Sequence, residues 1–133
     1  MDKNKIKDVV SSHFIKKDNF QKIISKFERK VKSETKDLQT IYYVKISNSC
    51  YKIGITKNYI SERYSKTCLN EKFENYVYTT SLYAKQVEKI IKEHFSEIQD
   101  MKKATCNKAL LEKCNINTET EFFVVDVLQI FND

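Results

Sequence analysis

Apolar side chains recur along the chain with two different spacings, and the spacing changes near residue 40. Before that point they lie three or four positions apart and form two stripes: Ile6, Val9, Val10, His13 and Phe14, then Phe20, Ile23, Ile24, Phe27 and Val31. Such spacing is typical of amphipathic helices with one buried face, and Asp18 or Asn19 can cap the second helix. Lysines occupy the other faces. The pattern predicts a basic helical extension over residues 1–38 and a second region over residues 39–133.

From residue 41 the apolar positions alternate, which is the period of a β-strand. Residues 41–46 place Tyr42, Val44 and Ile46 on one face. Residues 51–56 form a second β-rich run, and residues 47–49 between the two runs are Ser-Asn-Ser, which favours a turn. Residues 73–80 alternate again. These runs predict a hairpin and a third strand.

Helical spacing returns after each of the later strands. It predicts a helix over 59–69, a long one over 82–99, a loop with a short helix over 100–117, and a closing helix over 126–131 that follows a short strand. The predicted fold is therefore an α/β (α+β) domain, in which helices flank a small, mainly antiparallel sheet of three strands.

The chain holds a single glycine, Gly54, and no proline. Gly54 lies within the apolar run Lys-Ile-Gly-Ile-Thr, where glycine weakens a strand unless the backbone needs it. Chance survival of a glycine is the alternative. We expect that the backbone there is closely approached by another group or adopts an unusual dihedral angle.

The formal net charge of +6 and the pI near 9.0 favour an anionic partner, nucleic acid before membrane. The alternative is a solvated lysine-rich surface without a partner. No apolar run approaches the length of a membrane-spanning helix, and the N-terminus lacks the apolar stretch of a signal peptide. An intracellular protein that does not bind membranes is expected.

Four cysteines and two histidines raise the question of a zinc site. None of their spacings matches a zinc motif, and reduced, partly buried thiols are expected instead. His94 falls within the apolar stripe of the long helix, which favours a packed core histidine over a catalytic one.

Four short motifs resemble those of the GIY-YIG nuclease superfamily, and they occur in its order. They are Ile41-Tyr42, Lys52-Ile53-Gly54, the helical Arg63, and the late Thr120-Glu121-Phe122-Phe123. The second and last motifs are closest to a phage and viral branch of the superfamily, in which Lys-Ile-Gly replaces Tyr-Ile-Gly. The motifs span residues 40–131, about two thirds of the chain.

The resemblance implies a catalytic role for four residues: Tyr42, Lys52, Arg63 and Glu88. Tyr42 would act on the attacking water as general base or as its positioner, with Lys52 supplying the positive charge that lowers the pKa of the tyrosine. Arg63 would grip the scissile phosphate, and Glu88 would bind one Mg²⁺ or Mn²⁺ ion. Nucleic-acid contacts are expected from Tyr43, Tyr51, Lys57 and Tyr64.

Glu88 also has an ordinary interpretation. At about 100° per residue it falls at the edge of the apolar stripe of its helix, where a carboxylate is half shielded. It could therefore simply pair with Lys92 one turn later. The order of the motifs favours the metal-binding role.

Some positions depart from the superfamily pattern. Thr40 stands in place of the first motif's glycine, Lys52 in place of a tyrosine, and Ile55 where many members have lysine. Three functions are compatible with this pattern: a metal-dependent endonuclease acting on DNA, a nucleic-acid-binding module of the same fold without turnover, or a protein-interaction domain. The N-terminal helices could also form a homodimer. The expected location is the cytoplasm, or the nucleus or viral factory for a virus of eukaryotes.

Overall fold

The computed structural model of the chain describes most of the predicted elements. It covers residues 14–32, 34–47, 50–57, 59–64, 68–69, 73, 75–96, 108–115, 122–123 and 125–131. The first apolar stripe, up to His13, lies outside the described residues. Residues 48–49 of the predicted turn and residues 97–107 also lie outside the described residues.

Three strands form one antiparallel sheet, as predicted. They are β1 (Gln39–Ser47), β2 (Cys50–Thr56) and β3 (Asn75–Ser81), in the order β2-β1-β3. The hairpin places β1 in the middle, where all of residues 41–46 are buried. The late strand that was predicted after residue 119 is reduced to one bridge, in which the backbones of Tyr51 and Phe123 exchange two hydrogen bonds of 2.9 and 2.8 Å.

Five helices flank the sheet among the described residues. Their bounds are α1 (Lys17–Glu28), α2 (Ile60–Arg63), α3 (Ala84–His94), α4 (Lys108–Lys113) and α5 (Val127–Phe131). Helix α2 ends earlier than predicted because Tyr64 leaves the helical conformation, with φ −127° and ψ 137°. The predicted α+β class, with a three-stranded antiparallel sheet and flanking helices, is confirmed.

One face of the sheet packs against α1, α3 and α5. The stripe predicted for α1 is fully used here, since Phe20, Ile23, Ile24 and Phe27 join the same apolar cluster as Ile41 and Tyr43. Helix α1 therefore belongs to the core of the domain, and its stripe is not free for contact with a second copy.

The other face of β1 packs on a second cluster, which includes Tyr64, Phe73 and Phe122. Tyr42, Val44 and Ile46 point to this face, as the alternation predicts. The sheet is thus covered on both sides near its middle, and this second face carries the candidate site.

A buried carboxylate joins β1 to the last helix. The Tyr43 hydroxyl donates a 2.9 Å hydrogen bond to Asp126, whose side chain is 2 % exposed. Burial raises the pKa of Asp126 to about 6, and the hydrogen bond from Tyr43 opposes that shift. The Gln129 backbone N–H also approaches Asp126 at 3.4 Å, so Asp126 lies at the start of α5.

The expectation of reduced thiols is wrong for the described cysteines. Cys68 is bonded to Cys114, with their Cα atoms 5.8 Å apart, and Cys50 is also disulfide-bonded. The sequence spacing could not reveal this pairing, because it joins segments that meet only when α4 folds back beside α2. The Cys68–Cys114 bond fixes the end of α4 near Arg63.

His94 lies at the rim of the core and not inside it. Its ring is exposed to solvent and meets the rings of Phe27 and Phe95 edge-on, at centroid distances of 6.0 and 4.7 Å. Partial burial lowers the pKa of His94, and the nearby Lys30 adds to this effect. Within the described part of the chain, no helix has the length and apolar character needed to cross a membrane.

Candidate active site

The single glycine lies directly beneath a tyrosine. Gly54 in β2 is the cross-strand partner of Tyr42 in β1, so both positions face the same side of the sheet. A Cβ atom at Gly54 would lie 2.4 Å from the Tyr42 hydroxyl oxygen and 2.5 Å from the ring carbon that bears it. The expected close approach is confirmed, whereas the alternative of an unusual dihedral angle is not, since Gly54 has no positive φ.

The Tyr42 side chain continues across the glycine to a second tyrosine. Its hydroxyl lies 2.8 Å from the Tyr64 hydroxyl, and the two rings meet edge to face at 5.5 Å. Tyr64 in turn packs edge-on against Phe73 at 5.4 Å. Tyr42 is 2 % and Tyr64 1 % exposed, so the phenol pair is held in one geometry.

Arg63 lies beside this pair, since it is the last residue of α2 and directly precedes Tyr64. Its guanidinium carbon is 4.8 Å from the centroid of the Tyr64 ring, which is a cation–π distance. One terminal nitrogen donates a 3.1 Å hydrogen bond to the backbone carbonyl of Asn115. Among the described residues the half-buried guanidinium donates to this one carbonyl, and its planar fork carries four further N–H donors.

Glu88 reaches the same region from α3. Its position at the edge of the apolar stripe is confirmed, because Val87 and Ile91 are buried while the Glu88 side chain is 19 % exposed. The alternative pairing also occurs, since Lys92 approaches Glu88 at 3.4 Å. The negative charge of Glu88 contributes to raising the pKa of both Tyr42 and Lys52, so the carboxylate lies within electrostatic reach of both.

Lys52 is buried in β2, two residues before the glycine, and is only 7 % exposed. Its ammonium nitrogen lies 5.7 Å from the centroid of the Phe122 ring. Burial, followed by repulsion from Lys92 and Arg63, lowers the pKa of Lys52 to about 8, and Glu88 opposes the shift. Lys52 can therefore gain or lose a proton near neutral pH.

The expectation that nearby cations bring the pKa of Tyr42 below its ordinary value is wrong. Burial raises the pKa of Tyr42 above its ordinary value, and Tyr64 and Glu88 add to this shift. Arg63 is the cation that opposes the shift, while Lys52, to which that role was assigned, is not among its causes. Tyr42 stays a neutral phenol at physiological pH, able to donate or accept a hydrogen bond.

The four residues with predicted catalytic roles thus share one region, whereas the four predicted nucleic-acid contacts do not. Tyr64 belongs to the region through its hydrogen bond with Tyr42. Tyr43 and Tyr51 stack on each other at 6.1 Å in the opposite cluster and are at most 1 % exposed, so neither ring can reach a ligand. Lys57 is exposed just after the end of β2.

Asn115 is the site neighbour that sequence reasoning missed. It adopts a left-handed conformation with φ 58°, which asparagine tolerates better than most residues, and this turn presents its carbonyl to Arg63. The sequence offers no signal for the contact, because the two residues are brought together by the Cys68–Cys114 bond.

The arrangement suits an anion that approaches between Arg63 and Lys52. Arg63 and Lys52 supply nitrogen donors near a hydrogen-bonded phenol pair, and Glu88 offers one carboxylate. No group of three or more His, Cys, Asp or Glu side chains occurs among the described residues. A divalent ion would have Glu88 as its one protein ligand, which fits the way Mg²⁺ uses one or two carboxylates together with substrate phosphate and water.

The chain was compared with known proteins. No curated protein and no solved structure matches it significantly. The family model of the T5orf172 domain matches residues 39–132, more than two thirds of the chain. This domain is of a GIY-YIG-like, phage-associated nuclease type and points to a nuclease-like or nucleic-acid-binding module. The chain therefore belongs to the T5orf172 domain family.

Proposed function

We propose that this protein is a metal-dependent endonuclease that hydrolyses DNA phosphodiester bonds. One observation carries the proposal: a phenol pair, Arg63, Lys52 and Glu88 come from separate elements of the fold and lie within electrostatic reach of one another. Packing of the core does not require these polar and charged side chains to lie together beside Gly54, which Tyr42 covers. The formal net charge of +6 favours a polyanionic substrate such as DNA.

Arg63 binds the scissile phosphate in this proposal. The planar guanidinium can make two parallel hydrogen bonds to phosphate oxygens and stabilises the charge that develops in the transition state. The Asn115 carbonyl orients the guanidinium without neutralising it, since the carbonyl carries no net charge.

Tyr42 orients the attacking water as a neutral phenol. Its raised pKa argues against a phenolate base, so we assign it the positioning role and not proton abstraction. The hydrogen bond with Tyr64 uses one of the two hydroxyl protons and leaves the other for the water or the phosphate. Lys52, with its pKa near 8, is the group that we assign as proton acceptor.

Glu88 would hold one Mg²⁺ or Mn²⁺ ion, which would supply positive charge near the leaving oxygen. The Lys92 ammonium, at 3.4 Å from the Glu88 carboxylate, keeps this side chain near the surface of the cluster. The metal ion, like the DNA partner and an intracellular location, is part of the proposal.

A second function has an observation in its favour. Tyr42 is 2 % exposed, and Arg63 already donates to Asn115, so the site as it stands is partly closed. A domain that binds DNA and does not cleave it would have the same fold and charge. The two functions differ in whether bound DNA is nicked.

The decisive experiment uses supercoiled plasmid and a branched DNA substrate, with and without Mg²⁺ or Mn²⁺. We expect metal-dependent nicking by the wild-type protein. Arg63→Lys keeps the charge but loses the bidentate grip, and we expect nicking to fall by about 10²-fold or more while DNA binding is largely kept. Binding that weakens steeply with salt but never leads to nicking would support the second function instead.

A further inference from the structure

A groove opens beside the candidate site, on the same face of the sheet. It encloses about 470 Å³ and is open to solvent. The residues that line it and carry its chemistry are Leu38, Thr40, Lys57, Tyr59, Glu62 and Thr80. All three strands contribute to it or border it, at the end of the sheet where β1 begins and β2 ends.

The groove is continuous with the site. Thr40 lies two residues before Tyr42 on β1, so both side chains face the same side, roughly 7 Å apart along the strand. Thr40 pairs with Thr80 of β3 in the register that pairs Tyr42 with Tyr78. On the other wall, Glu62 directly precedes Arg63 in α2. A DNA chain whose phosphate is held at Arg63 can thus place a neighbouring nucleotide over this groove.

The chemistry of the lining fits a nucleobase. The Tyr59 ring is 76 % exposed and has no role in the core, which is unusual for a large aromatic side chain. Flat aromatic rings stack on bases of any sequence. Threonine hydroxyls can donate or accept hydrogen bonds at base edges, and the Glu62 carboxylate can accept them. Lys57 supplies a positive charge for the backbone.

A base inside a duplex is already stacked on both sides, so the Tyr59 ring can stack only on a base that is unpaired or at a junction. We propose that the groove binds the base of an unpaired DNA nucleotide next to the phosphate held by Arg63. The inference rests on the proposed function and gives it a substrate class: DNA with a single-stranded segment, as at a fork, flap or gap.

The test is a binding cycle in metal-free buffer, so that no cleavage interferes. The probe is a fluorescent forked DNA in which each single-stranded position is in turn made abasic, and fluorescence anisotropy gives the dissociation constant. For the wild-type protein we expect one abasic position to weaken binding roughly 5- to 150-fold, the range of one base–aromatic stack. Tyr59→Ala should weaken binding of the intact fork similarly and remove the sensitivity to that abasic position.

Two matched variants separate stacking from general damage. Tyr59→Phe keeps the ring and should retain both the affinity and the abasic effect. Leu82→Ala removes an exposed apolar side chain that does not line the groove, 44 % exposed, and should bind like the wild type. Because Tyr59 is on the surface, none of these changes should unfold the protein.

The outcomes distinguish this inference from the proposed function. If the wild type binds the fork but neither Tyr59→Ala nor any abasic site matters, the groove does not hold a base and only this inference fails. If the loss of affinity from Tyr59→Ala and the loss from the abasic position simply add, the ring contacts something other than the missing base. That result also overturns this inference. If the wild type binds no DNA at all, the proposed function itself fails.

Discussion

At the scale of single residues, the contact between Gly54 and Tyr42 links the two strand motifs of the site. A side chain at position 54 would occupy the space of the Tyr42 phenol. The glycine therefore serves close packing and not a backbone dihedral angle, and it allows the phenol to reach Tyr64. The sequence located this residue correctly because a lone glycine within a strand needs a physical reason.

Gly54→Ala should destabilise the protein by about 1–3 kcal/mol, since the tyrosine ring must move out of a packed cluster. Urea denaturation measures the change. The same substitution in a Tyr42→Ala background should cost far less, because the clashing ring is absent. An equal cost in both backgrounds would show that the glycine is needed for another reason.

The buried Lys52 predicts a dependence of stability on pH. Its pKa is about 8 in the folded protein against 10.5 for an ordinary lysine, so between these values the unfolded chain binds more protons. The free energy of unfolding should therefore rise with pH across this window, by up to about 1.4 kcal/mol per pH unit from this residue.

Lys52→Met isolates that contribution, because it keeps the unbranched side chain and removes the amine. Denaturant titrations of the metal-free protein across the window should give a smaller rise for the variant than for the wild type. Parallel curves would mean that Lys52 keeps an ordinary pKa and is solvated, and would remove it as proton acceptor.

At the scale of elements, helices α2 and α3 set the positions of Arg63, Tyr64 and Glu88. Helix α2 is a single turn that ends at Arg63. The next residue, Tyr64, has an extended backbone conformation. Helix α3 places Glu88 at the edge of its buried stripe. Periodicity predicted the helices and that edge position, whereas the end of α2 depends on the packing of Tyr64 under the sheet, which no local pattern encodes.

Helix α4 depends on a covalent bond. The Cys68–Cys114 bond closes a loop with a sequence separation of 46, and its loss should cost about 4 kcal/mol by loop entropy alone. Cys114→Ser should lower the unfolding free energy by about 2–4 kcal/mol, measured by urea denaturation. Cys68→Ser should cost as much, and the double variant little more. Fully additive losses would show that the two thiols are not bonded to each other.

At the scale of the whole molecule, the fold follows from the sequence more fully than the site does. Alternation and helical spacing predicted the sheet and its flanking helices, since both faces of β1 and the stripes of α1 and α3 pack into apolar clusters. The resemblance grouped Tyr42, Lys52, Arg63 and Glu88, which lie in one region of the structure, and their catalytic roles stay predictions. It predicted that Tyr43 and Tyr51 contact nucleic acid at the surface, although both lie in the core. Alternation along a strand does not tell which of its two faces is buried, so it could not correct this prediction.

The remaining features of the site come from contacts between distant parts of the chain. The carbonyl of Asn115 reaches Arg63 across 52 residues of sequence, and the pKa of Tyr42 is set by burial that only the folded state provides.

The most direct measurement compares two glutamates on α3, Glu88 at the site and Glu93 on the exposed face of the same helix. Single-turnover nicking of plasmid DNA with Mg²⁺ and binding without metal are measured for Glu88→Gln and Glu93→Gln. We predict that Glu88→Gln loses nicking by about 10²-fold or more and keeps binding, while Glu93→Gln matches the wild type. Nicking by Glu88→Gln at the wild-type rate would contradict the assignment of the active site.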